Sequence, residues 1–189
     1  MAYGNLNVDT ITGSGASSVI VNNGTNNVAG FTTGNNLQML QNGGGIVFSN
    51  SSATTNSTLN DYETGTWTPT VGGTATYTIQ NGTYTKIGNR VYFSLDVQIN
   101  SIGSGSTTSI TNLPFTIANV AGAGGGVSVG YYVSLASSIT TLYANLNTNT
   151  TQIVFGYSSS NGTGQSAYPG AVFGNSARII CNGHYQTTF

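Results

Sequence analysis

The sequence predicts an all-β protein, in which a jelly-roll-like antiparallel β sandwich follows an extended, Gly/Asn-rich β stem. Strong helix formers are scarce, whereas Thr, Val, Ile and Tyr, which favour strands, are plentiful. Gly and Asn interrupt the chain every few residues and leave no window long enough for an amphipathic helix. The segment from Val91 to Ile99 alternates apolar and polar side chains with a period of two, as a half-buried strand does.

Residues 1–60 are the predicted stem. They carry one charged side chain, Asp9, and their apolar residues come in short islands such as Val19-Ile20-Val21 and Ile46-Val47-Phe48. Islands this small are unable to close a core within one chain. We therefore expect this region to pack in a homotrimer, whose threefold closure buries the islands, or to lie along a larger partner. A flexible leader is the alternative interpretation.

Residues 61–189 are the predicted head, a globular β-sandwich domain. Asn81-Gly82, a pair favoured in two-residue hairpin turns, lies between two candidate strands, and Gly88-Asn89 is predicted to turn the chain into the strand that begins at Val91. About eight short strands with turns at regular spacing are typical of a sandwich or jelly roll. The candidate strands cover residues 75–80 (with a possible strand at 68–71 merged into it), 83–87, 91–99, 107–111, 127–135, 139–146, 151–157 and 177–186.

Charge is almost missing from the composition. Seven of 189 residues, 4%, are charged, against about 25% in an ordinary domain. Three basic side chains are too few to neutralise a phosphate backbone or an anionic membrane surface, so we expect neither nucleic acid nor membrane as partner. No apolar run approaches the roughly 18 residues of a membrane-spanning helix. Lys86 and Arg90, which flank the Gly88-Asn89 turn, are predicted to be solvated strand ends.

Residues that could support catalysis are few. The single histidine, His184, lies three residues from Cys181, so in a regular strand the two side chains should point to opposite faces and form no Cys–His pair. Asp61 and Glu63 would point to the same side of an extended segment. They could serve as the carboxylate pair of a glycosidase, as a contact for a divalent cation, or as a local structural element. We expect the local structural role. The sequence thus predicts a non-enzymatic protein without cofactor or metal.

Aromatic side chains are the candidate contact residues of the head. They are rigid and amphipathic, and they could stack on sugars or pack against neighbouring subunits, with ordinary core packing as the plainer alternative. The candidates for partner or glycan contacts are Trp67, Tyr131, Tyr132, Tyr143, Tyr157 and Tyr168.

One stretch is more specific than composition. It reads Leu59-Asn60-Asp61-Tyr62-Glu63-Thr64-Gly65-Thr66-Trp67-Thr68-Pro69. Three further motifs follow it in the sequence: Tyr84-Thr85-Lys86-Ile87-Gly88-Asn89, Val91-Tyr92-Phe93 and Leu113-Pro114-Phe115. This series resembles a C-terminal β domain of virion structural proteins and fibres of tailed bacteriophages, especially aquatic and cyanobacterial ones. In those bacteriophage proteins, the first motif joins a repetitive stem to a compact β head. Asn60 departs from the pattern, which usually has an acidic residue. The resemblance covers about residues 59–115 and implies a trimeric, non-enzymatic virion surface protein.

We therefore expect a short trimeric capsid decoration protein, a cement protein or head fibre, made in the host cytoplasm and displayed on the virion surface. Residues 1–60 would anchor it to the major capsid protein or to a tail structural protein. A chain of 189 residues leaves little room for a long shaft, which favours the capsid. The alternative is a tail-fibre receptor-binding protein that recognises a host-surface glycan. A third hypothesis is a polysaccharide-degrading enzyme that uses Asp61, Glu63 or Asp96.

Overall fold

The chain divides into two compact units, Met1–Asn60 and Asp61–Phe189. A computed structural model describes residues 20–22, 27–31, 37–39, 46–47, 58–59, 61–158 and 170–188. The described parts of the chain are strands, turns and bends without any helix, so the prediction of an all-β protein is confirmed. Within the same residues, no helix long and apolar enough to span a membrane is found.

In the first unit, the described residues form two small antiparallel sheets. One sheet has the order β1-β2-β3 and the other consists of β4 and β5. The strands are β1 (Ile20–Asn22), β2 (Asn27–Phe31), β3 (Leu37–Met39), β4 (Ile46–Val47) and β5 (Thr58–Leu59). Most of the predicted stem lies outside the described residues, and its packing in a trimer stays a prediction.

The described residues of the second unit form eight strands in two antiparallel sheets. The larger sheet has the order β10-β13-β8-β7-β6 and the smaller one the order β11-β12-β9. The strands are β6 (Tyr62–Trp67), β7 (Thr76–Ile87), β8 (Arg90–Ser101), β9 (Ser109–Ile110), β10 (Val127–Val133), β11 (Thr141–Leu146), β12 (Ile153–Ser158) and β13 (Arg178–Gln186). Strands β6, β7 and β8 follow one another as a meander, and the chain then crosses between the sheets.

The strand that the alternation predicts most clearly, β8, lies at the centre of the five-stranded sheet, between β7 and β13. Its odd-numbered residues from Val91 to Ile99 are buried, and the even-numbered ones face away from the core. Apolar side chains of both sheets share one core cluster, so the unit is a two-layer β sandwich. Its centre includes Val97, Ile153, Phe155, Ile179 and Tyr185.

The predicted hairpin turn at Asn81-Gly82 is wrong. β7 continues without a break from Thr76 to Ile87, and Asn81 pairs with Asp96 of β8. Glycine is needed at position 82 for a different reason, because the indole of Trp67 covers it from β6. The turn between β7 and β8 is at Gly88-Asn89, as predicted, and Gly88 has a φ of 58°, which glycine adopts without steric cost.

The joint segment forms a strand that the sequence interpretation missed. β6 pairs along its whole length with β7, from Tyr62 opposite Ile87 to Trp67 opposite Gly82. The two motifs of the bacteriophage resemblance are therefore neighbours in the sheet, although about 20 residues separate them in the sequence. The strand was missed because its outward side chains include threonines and its inward ones include Glu63 and Gly65, so it lacks an apolar alternation.

Candidate functional site

The outer face of the five-stranded sheet is the candidate functional site. We define it as the side opposite the core, to which the even-numbered residues of β8 and β13 and the odd-numbered residues of β7 from Ile79 to Ile87 point. Hydroxyl and amide groups cover most of it. Thr83 and Ser94, on neighbouring strands, are linked by a hydrogen bond of 2.8 Å between their hydroxyl oxygens. Such a surface offers many neutral donors and acceptors and few charges.

Tyr92 lies near the middle of the outer face. It pairs with Thr85 of β7 on one side and with His184 of β13 on the other. Its ring is 49% exposed, and its centroid lies 5.9 Å from that of His184, with 42° between the ring planes. Two tilted rings therefore stand next to each other on a surface of hydroxyl groups.

Shallow depressions flank Tyr92 on both sides. One, of about 360 Å³, is lined by Tyr92, Gly126, Val127, Ser128, Asn182, Gly183 and His184. The other, of about 280 Å³, is lined by Thr83, Tyr84, Thr85, Tyr92, Phe93 and Ser94. A third depression, of about 200 Å³, extends the face towards Asp96 and Ile180. Tyr92 thus forms a ridge between two shallow depressions, each of the size of a small sugar or a side chain from another protein.

An ion pair and an aromatic ring mark the far end of the outer face. The guanidinium of Arg178 donates two hydrogen bonds to the carboxylate of Asp96, at 3.0 and 2.8 Å. Its central carbon lies 5.7 Å from the centroid of the Tyr131 ring. The hydrogen bonds to Asp96 raise the pKa of Arg178 above its usual value.

The predicted contact residues lie in different environments. Trp67 and Tyr157 are buried in the core, each 8% exposed, and Trp67 packs edge-on against Phe93. Tyr131 and Tyr132 are exposed on β10 at 46% and 44%. Tyr143 is half-buried over Gly156. Tyr168 lies outside the described residues. Among the predicted tyrosines that the structure describes, Tyr131 belongs to the outer face.

Tyr92, the central ring of the outer face, was not among the predicted contact residues. It occurs in the clearest amphipathic strand of the chain, at a position of the polar side of the alternation. An aromatic residue on the polar side of such a strand is a signal for an exposed ring, and it could have been found in the sequence. Its partner His184 lies 92 positions later, and only the sheet brings the two together.

The acidic joint residues have structural partners on β7. Asp61 forms an ion pair with Lys86, and Glu63 accepts a hydrogen bond from the Tyr84 hydroxyl. The predicted solvated position of Lys86 is wrong, because its side chain is only 5% exposed and its Nζ lies 5.4 Å from the centroid of the Phe115 ring. Lys86 is buried because its position in β7 points to the core side of the sheet, and burial lowers its pKa.

Cys181 and His184 point to opposite faces of β13, as the strand period predicts. Cys181 is buried, and desolvation raises the pKa of its thiol to about 12. In the part of the chain that the structure describes, no three His, Cys, Asp or Glu side chains are grouped in a way that could hold a metal ion. The exposed rings and the hydroxyl and amide groups of the outer face suit it to binding through neutral hydrogen bonds and ring stacking.

Comparison with known proteins gives a likeness of fold. No protein-family model matches the chain, and no curated protein matches it in sequence. A crystal structure of the Dettilon tailspike protein (gp208) is similar to 66% of this chain, with a TM-score of 0.51 and 22% sequence identity. The similar region spans 24% of the tailspike chain. At this identity the match establishes that the chain shares its β architecture with one part of a tailspike protein.

Proposed function

We propose that this protein is a non-enzymatic structural protein of the surface of a tailed bacteriophage, in which the unit Asp61–Phe189 is a projecting β-sandwich module. The observation that carries the proposal is the shared architecture with part of a tailspike protein. The motif from Asp61 to Pro69 adds independent support, because it resembles the joint of virion fibre proteins. In the described residues, Asp61, Glu63 and Asp96 each bind a neighbouring side chain, which supports a structural rather than a hydrolytic role.

Assembly as a homotrimer, anchored through residues 1–60 to the major capsid protein or to a tail structural protein, is part of this proposal. Light scattering on the purified full chain should give the mass of three chains. A monomer at micromolar concentration would contradict the trimer. Removal of residues 1–60 should abolish incorporation into particles, while the fold of residues 61–189 is preserved.

The position on the virion has two candidates. One is the capsid, as a decoration protein, and the other is the tail, as a receptor-binding protein, which the likeness to a tailspike favours. Quantitative mass spectrometry of purified virions separates them, because a decoration protein is present in dozens to hundreds of copies and a tail protein in few. Immunogold labelling should place the protein on the same structure that the copy number indicates.

A second function, recognition of a neutral host-surface glycan, is favoured by the outer face. Exposed rings beside hydroxyl and amide groups are the combination that binds sugars, through stacking on the ring and hydrogen bonds to the sugar hydroxyls. Tyr92 and His184 would supply the stacking surface, and Ser94, Asn182 and Ser128 the polar contacts.

The test compares two tyrosine variants of the full chain for binding to host cells. Tyr92→Ala should reduce binding at least tenfold, whereas Tyr132→Ala, an equally exposed tyrosine on the other side of its strand from Tyr131, should leave it unchanged. Equal binding by all three proteins would exclude the outer face as the receptor site. The virion-surface proposal would be unaffected, because copy number and labelling test it separately.

A further inference from the structure

A cluster of four side chains across β6 and β7 combines a buried amine with two carboxyl groups. Asp61 contacts Lys86, and Glu63 lies directly opposite Lys86 in the register of the two strands. Glu63 is in turn held by the hydroxyl of Tyr84. Asp61, Glu63 and Lys86 are not among the residues that line the described depressions of the outer face, and the proposed function leaves their chemistry unused.

We propose that Lys86 and Asp61 form an intramolecular amide (isopeptide) bond, with Glu63 as the group that carries protons during its formation. The proposal rests on a juxtaposition: an almost fully buried Lys86 side chain whose Nζ contacts Asp61 Oδ2 near the Phe115 ring, with Glu63 opposite Lys86 in the strand register. The bond would be made by the folded chain itself, since the fold alone brings residues 25 positions apart together.

The surroundings of Lys86 favour the reactive form of its amine. Phe115 and the core side of the sheet exclude water from Nζ, and burial lowers the pKa of Lys86. Transfer of one proton from Nζ to the Asp61 carboxylate converts the ion pair into a neutral amine and a carboxylic acid. The enclosed position of Lys86 favours the neutral amine over the charged ammonium group.

The reaction then balances without any oxidant or co-reactant. The lone pair of Nζ attacks Cγ of Asp61, and the nitrogen loses a proton to the Glu63 carboxylate. Glu63 returns this proton to the hydroxyl on Cγ, the C–O bond breaks, and one water molecule leaves. One C–N bond is formed and one C–O bond is broken. The Asp61 side chain is 43% exposed, so the water has a path to solvent, whereas Lys86 remains enclosed.

Such a bond has a mechanical consequence that an ion pair lacks. Asp61 is the first residue of the second unit, and β6 is an edge strand of its sheet. Force transmitted through the chain from residues 1–60 would reach β7 through a covalent link and would not peel β6 from the sheet. A salt bridge in the same place is broken by acid or by high salt.

The test is the intact mass of the purified full chain under denaturing conditions. The expected mass is that of the sequence minus one water, and the Lys86→Met variant, which keeps a chain of similar length, should have its full sequence mass. Peptide mapping should find residues 61 and 86 in one branched peptide. Trypsin should cut after residue 86 in denatured Asp61→Ala protein and not in the denatured parent. Circular dichroism and the melting temperature show whether each variant is folded.

Two further variants separate the role of Asp61 in the bond from the role of Glu63 in proton transfer. Asp61→Asn should still form the bond, with loss of ammonia in place of water, and end at the same mass as the parent. The Glu63→Gln variant should fold, and a large fraction of its molecules should have the mass of the unlinked chain. A parent protein with its full sequence mass, or a loss of water that persists in Lys86→Met, would overturn the proposal. Full linkage in Glu63→Gln would overturn the assignment of Glu63.

Discussion

Gly82 lies against the indole of Trp67, so closely that a Cβ atom at position 82 would be 2.5 Å from Nε1. The two residues are direct cross-strand partners at the end of the β6–β7 ladder. The indole packs edge-on against Phe93, with ring centroids 6.3 Å apart, so it has little room to move. Trp67 can therefore enter the core from an edge strand only because its neighbour on β7 has no side chain.

The Gly82→Ala substitution should destabilise the second unit. The added methyl group displaces a large buried ring, and overpacking of this kind costs about 1–3 kcal/mol. Urea unfolding followed by Trp67 fluorescence measures the change in the free energy of unfolding, since Trp67 is the single tryptophan. Gly126→Ala is the matched control, because a Cβ there meets no atom within 4 Å. Equal stabilities of the two variants would refute the packing argument.

The hydroxyl of Tyr185 has a structural role that its ring does not share. Tyr185 is completely buried, and its oxygen accepts a hydrogen bond of 3.2 Å from the backbone N–H of Phe115. Tyr185→Phe preserves the ring and leaves that N–H without a partner, so it should cost about 1–2 kcal/mol of stability. Tyr92→Phe, at an exposed position, should change stability by less than about 0.5 kcal/mol. Chemical denaturation of the three proteins checks both values.

Cys181 should be inert towards thiol reagents in the folded protein. Burial raises the pKa of its thiol to about 12, so the reactive thiolate is almost absent at pH 8. The reaction can be followed with a disulfide reagent whose light absorbance changes when it modifies a thiol. It should modify one thiol per chain quickly in denaturant and far more slowly in the absence of denaturant. Rapid modification of native protein would contradict the burial of Cys181.

Because of the same thiol, the free energy of unfolding should depend on pH in the alkaline range. In the folded state the Cys181 thiol keeps its proton up to about pH 12, whereas a cysteine in the unfolded chain releases its proton near pH 8.5. The folded state therefore binds more protons between these values, and stability falls as pH rises. The loss from Cys181 should reach about 2 kcal/mol at pH 10. Cys181→Ala should show a shallower decline over this pH range, and parallel curves would argue against the shift.

Arg178 and Asp96 should be energetically coupled, and the coupling should weaken with salt. Their two hydrogen bonds are bidentate, but both side chains are about 30% exposed, at 31% and 28%. A double-mutant cycle with Arg178→Gln and Asp96→Asn should give a favourable coupling that decreases from low to high ionic strength. Arg178→Lys should lose most of it, because an ammonium group does not reproduce the planar fork. A coupling that salt leaves unchanged would contradict this view.

Much of the fold could be predicted from local patterns. The alternation from Val91 to Ile99 identified the central strand, and Gly88-Asn89 identified the turn before it. Both depend on residues that are neighbours in the sequence, where the strand period and the conformational freedom of glycine act directly. The same local reasoning failed at Asn81-Gly82, since a glycine pattern does not reveal whether it serves a turn or a close approach.

Composition and strand period were sufficient to predict the all-β class and the scarcity of charge, because neither depends on distant contacts. The burial of Lys86 against Asp61, the contact of Tyr92 with His184 on an exposed face and the binding of Arg178 to Asp96 could be found only in the folded chain. These relationships join residues from 25 to 92 positions apart. Strand order and register bring such residues together, and register is set by the packing of the whole sheet rather than by any short segment.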